Sequence, residues 1–353
     1  MVWTCDGNTV DTRLTREYGL RHPFVGAGMG FVSHPALAAA VSAAGGLGVL
    51  GASPDPPASL PVMVAELRRL TEQPWGVDLI CAETGMGPAC TDAHVEACVE
   101  LDVPLVVFHH DPPPPRWVRW LAEAGARVWM QVSSPELAEE AVGLGVTGLV
   151  AQGAEAGGHS RGTIPRSTLV PMLAEQFPDR LLLAAGGIAD GAGVAEALRA
   201  GADGVWVGTR LVASVEARAH AEYKQRLVAA TGPTVRTTAF GPEWPDADYR
   251  MLPTRTASEW AGREHEIPDP PPGPEVIGRT TLFPHSARQP YVMPKFSALP
   301  PTPETSGDWE EMAFPAGEGV GVVQAIEPAG EIVRGMMAEA TRLLAPQHAA
   351  SPA

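Results

Sequence analysis

The sequence predicts an α/β chain folded as one (β/α)8 TIM barrel, with an arm inserted between the barrel and a closing C-terminal helix. Two observations carry that expectation. Eight short apolar runs alternate with helix-forming segments between Pro23 and Val212, and eight parallel strands is the count that closes a barrel. The turn after the first run reads Ala27-Gly28-Met29-Gly30, without the G-x-G-x-x-G of a doubly wound dinucleotide fold, so the open-sheet alternative is the weaker.

The expected strands are Pro23–Ala27, Leu47–Gly51, Trp75–Ile80, Leu105–Phe108, Arg127–Gln131, Gly148–Ala151, Leu181–Ala185 and Gly204–Val207. Each is a short aliphatic run bounded by Gly, Pro or a polar turn, as strands buried on both faces require. Between them lie helical segments such as HPALAAAVSAAG, PASLPVMVAELRRL, SPELAEEAVGLG and GAGVAEALRAGA. Ser134 before Pro135 and Asp190 before the last of these are helix-start signals. Gly45, Gly145 and Gly201 stand where helices stop.

Beyond residue 222 the texture changes. Residues 231–317 are rich in Pro, with Trp, Tyr, Phe and Met interleaved. Proline-rich composition alone would suggest disorder, but the aromatic residues argue that the stretch packs. We expect residues 1–222 to form the barrel and 223–317 an arm over its mouth. Trp244, Tyr249 or Trp260 would then cover the substrate. Residues 318–353 would form a closing helix, burying Ile332, Met336, Ala340 and Leu343 at helical spacing, and a frayed tail.

Composition narrows the function. The formal charge of −16 argues against a nucleic-acid partner, which needs clustered Lys and Arg. No run reaches the ~18 apolar residues of a membrane span, and the N-terminus lacks a signal-peptide pattern, so a cytoplasmic location is expected. The only lysines, Lys224 and Lys295, lie outside the strand-rich half, which removes a Schiff-base lysine at a strand end. The four cysteines have no C-x-x-C spacing and no histidine partners at zinc-site intervals, so no metal site is expected.

The chemistry gathers behind the later strands. After the seventh the chain reads Ala185-Gly186-Gly187-Ile188-Ala189-Asp190, and after the eighth Val207-Gly208-Thr209-Arg210. Barrels build their phosphate site from these two loops. Glycine lets the backbone approach a phosphate, and exposed N–H groups with the helix dipole hold its charge. The loop after the sixth strand, Gln152 to Thr163, is long and sets His159 behind Gly157-Gly158. A histidine there can enter the mouth and titrate near neutral pH.

The combination of EAGGH, AAGGIADG and GADGVWVGTR resembles the nitronate monooxygenase family, once called 2-nitropropane dioxygenases. PFVGAGMGFVSHPALAAAVSAAGGLGVLG, GPEWPDADYRMLPT and PAGEGVGVVQAIEPAGEIVRGM extend the resemblance over nearly the whole chain. It implies FMN, a barrel with a mostly helical lid, and oxidation of alkyl nitronates by O2 to carbonyl compounds and nitrite. It also implies that Gly186, Gly187, Gly208 and Thr209 hold the phosphate, and that Gly28, Met29 and Gly30 lie along the flavin ring. Gln152 and Gly153 would lie nearby, with His159 as catalytic base. The pattern is broken at Gly28, where relatives carry Pro, and at Asp78, where they carry Asn and a carboxylate would face the flavin. Arg161 and His110 are candidate substrate contacts.

Two other readings share these motifs. An FMN-dependent enoyl-thioester reductase has the same type of histidine loop and would consume NADH. A flavin-binding protein without turnover would show flavin and no chemistry. A third barrel class, the nucleotide dehydrogenase of guanine synthesis, needs a cysteine after strand six, and none follows Cys98. Partners beyond a small substrate and O2 are not implied, and the oligomeric state stays open.

Overall fold

The computed structural model describes residues 3–5, 9–53, 55–85, 87–241, 243–244, 248–267, 275–286 and 288–345. The frayed tail expected after the closing helix lies outside them, as do the proline-rich residues 268–274.

Eight parallel strands close into a barrel: β1 Phe24–Gly26, β2 Leu47–Gly51, β3 Trp75–Cys81, β4 Leu105–His110, β5 Arg127–Val132, β6 Gly148–Gln152, β7 Leu181–Ala185 and β8 Gly204–Val207. They are the expected eight, their ends moved by at most two residues. Each pairs with its neighbour in chain order, and Val205 of β8 pairs with Phe24 of β1 to close the ring. Alternate side chains point inward, so Val25, Leu47, Val49, Leu105, Val107, Leu183 and Trp206 fill the interior. The opposite faces of the strands pack on the surrounding helices, joining them in one continuous apolar core. The helix Arg13–Tyr18 plugs the far end, with Leu14 in the interior cluster and Tyr18 edge-on to Trp129 at 5.2 Å.

Local signals act as read. Ser134 accepts from the Leu137 N–H at 3.2 Å and Asp190 from the Gly193 N–H at 2.8 Å, each cap contributing about 1 kcal/mol. The helix Ala329–Leu344 packs on the helices Gly191–Arg199 and Pro35–Ala43, burying Ile332, Met336 and Ala340. Its last core residue is Leu344; Leu343, expected inside, is 40% exposed. Both positions suit a 3.6-residue period after Ala340, and the helix's rotation on its neighbours selects the later one.

The arm is strand-rich rather than mostly helical. Val235–Thr237 and Tyr249–Met251 form a small antiparallel sheet, and Val276–Leu282, Gln289–Pro294 and Ser306–Gly307 form another. Its described part holds one α-helix of its own beyond residue 230, Arg255–Trp260. Phe240, Tyr249, Met251, Phe296 and Ala313 give it a separate apolar cluster. No helix among the described residues is long and apolar enough to cross a membrane.

Candidate active site

A cavity of about 250 Å³ opens at the C-terminal ends of the strands, where barrels place their chemistry. Its floor is formed by the β1 turn, Asp78 and Ile80 of β3, His109 and Gln131. The Gly186–Gly187 turn, Gly208 and Thr209 form one wall, and His159 with Trp244 and Tyr249 another. The lining is mostly apolar with a few convergent polar groups, the usual make-up of a small-molecule site.

His159 is held by the arm. Residues Gly158–His159 form a strand that pairs antiparallel with Tyr249–Met251, His159 opposite Tyr249. Gly157 allows this because a Cβ there would lie 2.5 Å from the Ala316 carbonyl carbon and the Gly317 nitrogen. The imidazole is sandwiched, 4.4 Å from the Trp244 ring at an interplanar angle of 26° and 4.3 Å from the Tyr249 ring. Its one backbone interaction, with Phe240, favours a protonated ring nitrogen on that side. Nε2 is buried with no partner, which leaves a lone pair free for a ligand.

This burial corrects one expectation. The ring does not titrate near neutral: desolvation, then the neighbouring His110 and His109, lower its pKa to about 3. His109 and His110 are held down likewise, to about 3 and about 4, mainly by burial. His159 is therefore neutral throughout the physiological range.

The two glycine turns meet as the sequence implied. Gly186 and Gly187 both adopt left-handed backbone, with φ of 105° and 67°. Space at Gly208 is open, the nearest atoms to an added Cβ being Met29 Sδ at 3.6 Å and Ala27 Cβ at 3.8 Å. The helix after β7 is a different matter. Asp190 caps it, and Glu339 Oε2 accepts from the Gly191 N–H at 2.9 Å. Two carboxylates thus occupy that N-terminus, so any anion here rests on the glycine turns rather than on that helix's dipole. Arg166, which sequence reading missed, donates to the Gly186 carbonyl at 2.8 Å and is ion-paired with Glu196 at 2.8 Å. Gly317 and Gly319 also line the cavity, and Gly317 donates to Thr209 Oγ1 at 3.0 Å.

The two departures from the family pattern are neighbours. A Cβ on Gly28 would sit 2.2 Å from Asp78 Cβ and 3.1 Å from the Leu50 carbonyl oxygen. Both obstacles belong to backbone-fixed strands and cannot swing away. Gly28→Ala is expected to destabilise the fold by about 1–3 kcal/mol, as overpacking does. Urea unfolding checks it, and an unchanged midpoint would show that the two strands separate freely.

Several candidates lie apart from this cavity. Gly153 is behind it, against Glu155 and Arg166. His110 and Arg161 line an adjoining polar cavity with Asp111, Glu140 and Ser160, and Arg161 is ion-paired with Asp111. His109, Gln131 and Gln152 border both cavities. His110 still reaches the arm, its ring edge-on to Trp244 at 4.9 Å. Trp260 packs on Phe296 at 5.3 Å within the arm and does not line the cavity. Glu243 was not foreseen; it lines the cavity and accepts from Tyr291, Ser297 and the Ala298 N–H at 2.7–2.8 Å. Among the described residues no cluster of three or more side chains is arranged to hold a metal ion.

Comparison with known proteins agrees with this architecture. A family model described as nitronate monooxygenase matches residues 11–339. A nitronate monooxygenase of Pseudomonas aeruginosa is 31% identical, over 93% of this chain and 98% of that protein. Among solved structures, FabK from Thermotoga maritima superposes with a TM-score of 0.76 at 31% identity, covering 95% of this chain and 98% of its own. A nitroalkane oxidase from Streptomyces ansochromogenes gives 0.74 at 28% identity, covering 94% and 99%. With the eight-stranded barrel and the glycine turns of β7 and β8 already in place, the match across residues 11–339 makes this oxidoreductase a member of the nitronate monooxygenase family.

Proposed function

We propose that the protein binds FMN in this cavity and oxidises an alkyl nitronate, or a nitroalkane it first deprotonates, with O2 to a carbonyl compound and nitrite. The observation that carries this reading is the buried imidazole of His159, its Nε2 without a partner, in the lining of an apolar cavity whose other wall is a double glycine turn. The residues present fit a flavin phosphate. The Gly186–Gly187 turn and open Gly208 leave room for close backbone approach, and Arg166 braces the Gly186 carbonyl from behind. Thr209 completes the set. When bound, the flavin supplies the electron acceptor for the substrate carbanion.

The chain's own residues do the rest. A neutral imidazole whose Nε2 has no partner in the protein can serve as a base to a carbon acid. Taking that proton makes an imidazolium, which burial disfavours unless a negative charge forms beside it. The nitronate is such a charge, so the low pKa couples proton removal to carbanion formation. Trp244 and Tyr249 exclude water from this pair, which strengthens its electrostatics. In this reading the arm, residues 223–317, is the lid of the site, with Trp244 and Tyr249 as its working aromatics. Gln152, 8% exposed and accepting from Ser160 Oγ at 3.2 Å, and the Gly28–Gly30 turn complete the bed for the ring.

The test is turnover in air without a nicotinamide. Purified protein offered a nitronate should consume O2 and release nitrite. Oxidation of NADH with an enoyl thioester, and none of a nitronate, would instead establish the reductase reading. Bound flavin with neither activity would establish a binding protein.

A further inference from the structure

Asp78 lies in β3 at the floor of the cavity, 2% exposed, with Oδ2 buried and unpartnered. Its strand is locked on both sides, Asp78 pairing with Gly51 of β2 and Val107 of β4. No cationic group acts on the carboxyl; its titratable neighbours are the buried thiols of Cys81 and Cys90. Gly28 brings no side chain to cover it, since a Cβ there would collide with Asp78 itself. An ionised carboxylate in this place would be a buried charge without a partner, which proteins avoid by neutralising the group. Burial indeed pushes the Asp78 carboxyl well above the usual carboxylate range. A protonated carboxyl gains an O–H donor that a carboxylate lacks, and an apolar site that keeps an acid neutral makes it a hydrogen-bond donor at neutral pH.

We propose that Asp78 serves the bound flavin as a neutral acid, donating its O–H to an acceptor on the ring system. This rests on the flavin reading above. The carboxyl is then an attractive contact where a carboxylate would repel an electron-rich ring. It also gives Oδ2 the partner that it lacks in the protein alone.

Infrared difference spectroscopy on the FMN-loaded protein, wild type minus Asp78→Asn, tests this directly, together with FMN affinity followed by flavin fluorescence. The wild type should show the carbonyl stretch of a protonated carboxylic acid, absent from Asp78→Asn and moved to lower frequency by FMN addition to flavin-stripped protein. Asp78→Asn, whose amide also donates, should bind FMN nearly as the wild type does. Asp78→Leu should bind it about 10-fold more weakly, the loss expected for one buried hydrogen bond. Absence of the protonated band, a band that FMN leaves unmoved, or a Leu variant binding as tightly as the wild type would each overturn the proposal. Wild-type protein that takes up no FMN would overturn the flavin reading along with it, whereas tight FMN binding with an unmoved band overturns the Asp78 role alone.

Discussion

His159→Asn is expected to lower turnover of a neutral nitroalkane by about 10²–10⁴-fold, the usual loss on removing a general base, while turnover of the pre-ionised nitronate falls far less. Asn fills similar space between Trp244 and Tyr249, and the glycine turns lie on other loops, so fold and flavin should persist. The two substrate forms separate proton removal from everything after it. An equal collapse on both, with flavin intact, would make His159 a binding partner for the anion instead of a base. Rates equal to wild type on both would leave it no chemical role. The pH profile adds a sign. Because burial lowers the His159 pKa to about 3, the base form is fully present above that value. The wild-type rate should therefore show no acid limb near about 6.5, the ordinary imidazole value. A limb at that position, lost in His159→Asn, would contradict the burial of the ring.

Gly208→Asp is expected to yield colourless protein. A carboxylate there would stand in the space assigned to the phosphate and repel it. The position is open, nothing lying closer than 3.6 Å to an added Cβ, so the loss should come without a loss of fold. Gly208→Ala, which fits that space, is the control and should keep its flavin. Gly187→Asp should lose flavin as well, but its φ of 67° adds backbone strain of its own. Full flavin retention in Gly208→Asp, measured by absorbance after gel filtration, would remove the phosphate from this turn.

The barrel was legible because strands buried on both faces leave near-continuous apolar runs between Gly and Pro. β2, β7 and β8 begin and end as read from the sequence. The glycine turns were legible because each sits directly behind a strand, and His159 because it follows a Gly-Gly pair in the long loop after β6. What escaped reading depends on pairing between distant segments. The strands Trp3–Cys5 and Val10–Thr12 form a hairpin too short to leave a pattern. Opposite His159 stands Tyr249, across a long stretch whose prolines hide its strands. Gly317 and Gly319 reach the cavity from the end of the arm and the start of the closing segment, where no site residue was expected. The histidine's low pKa was illegible for the same reason, since its burial is created by Trp244 and Tyr249 of the arm.

The central claim is that β7 and β8 hold the phosphate of an FMN. Denaturing the purified protein and identifying the flavin it releases tests this most directly. The expected result is FMN, in about equimolar amount with the chain, because the loops after β7 and β8 are where barrels build a phosphate site and both glycine turns line the cavity. Release of FAD, or protein that is colourless and takes up no FMN when it is supplied, would contradict it.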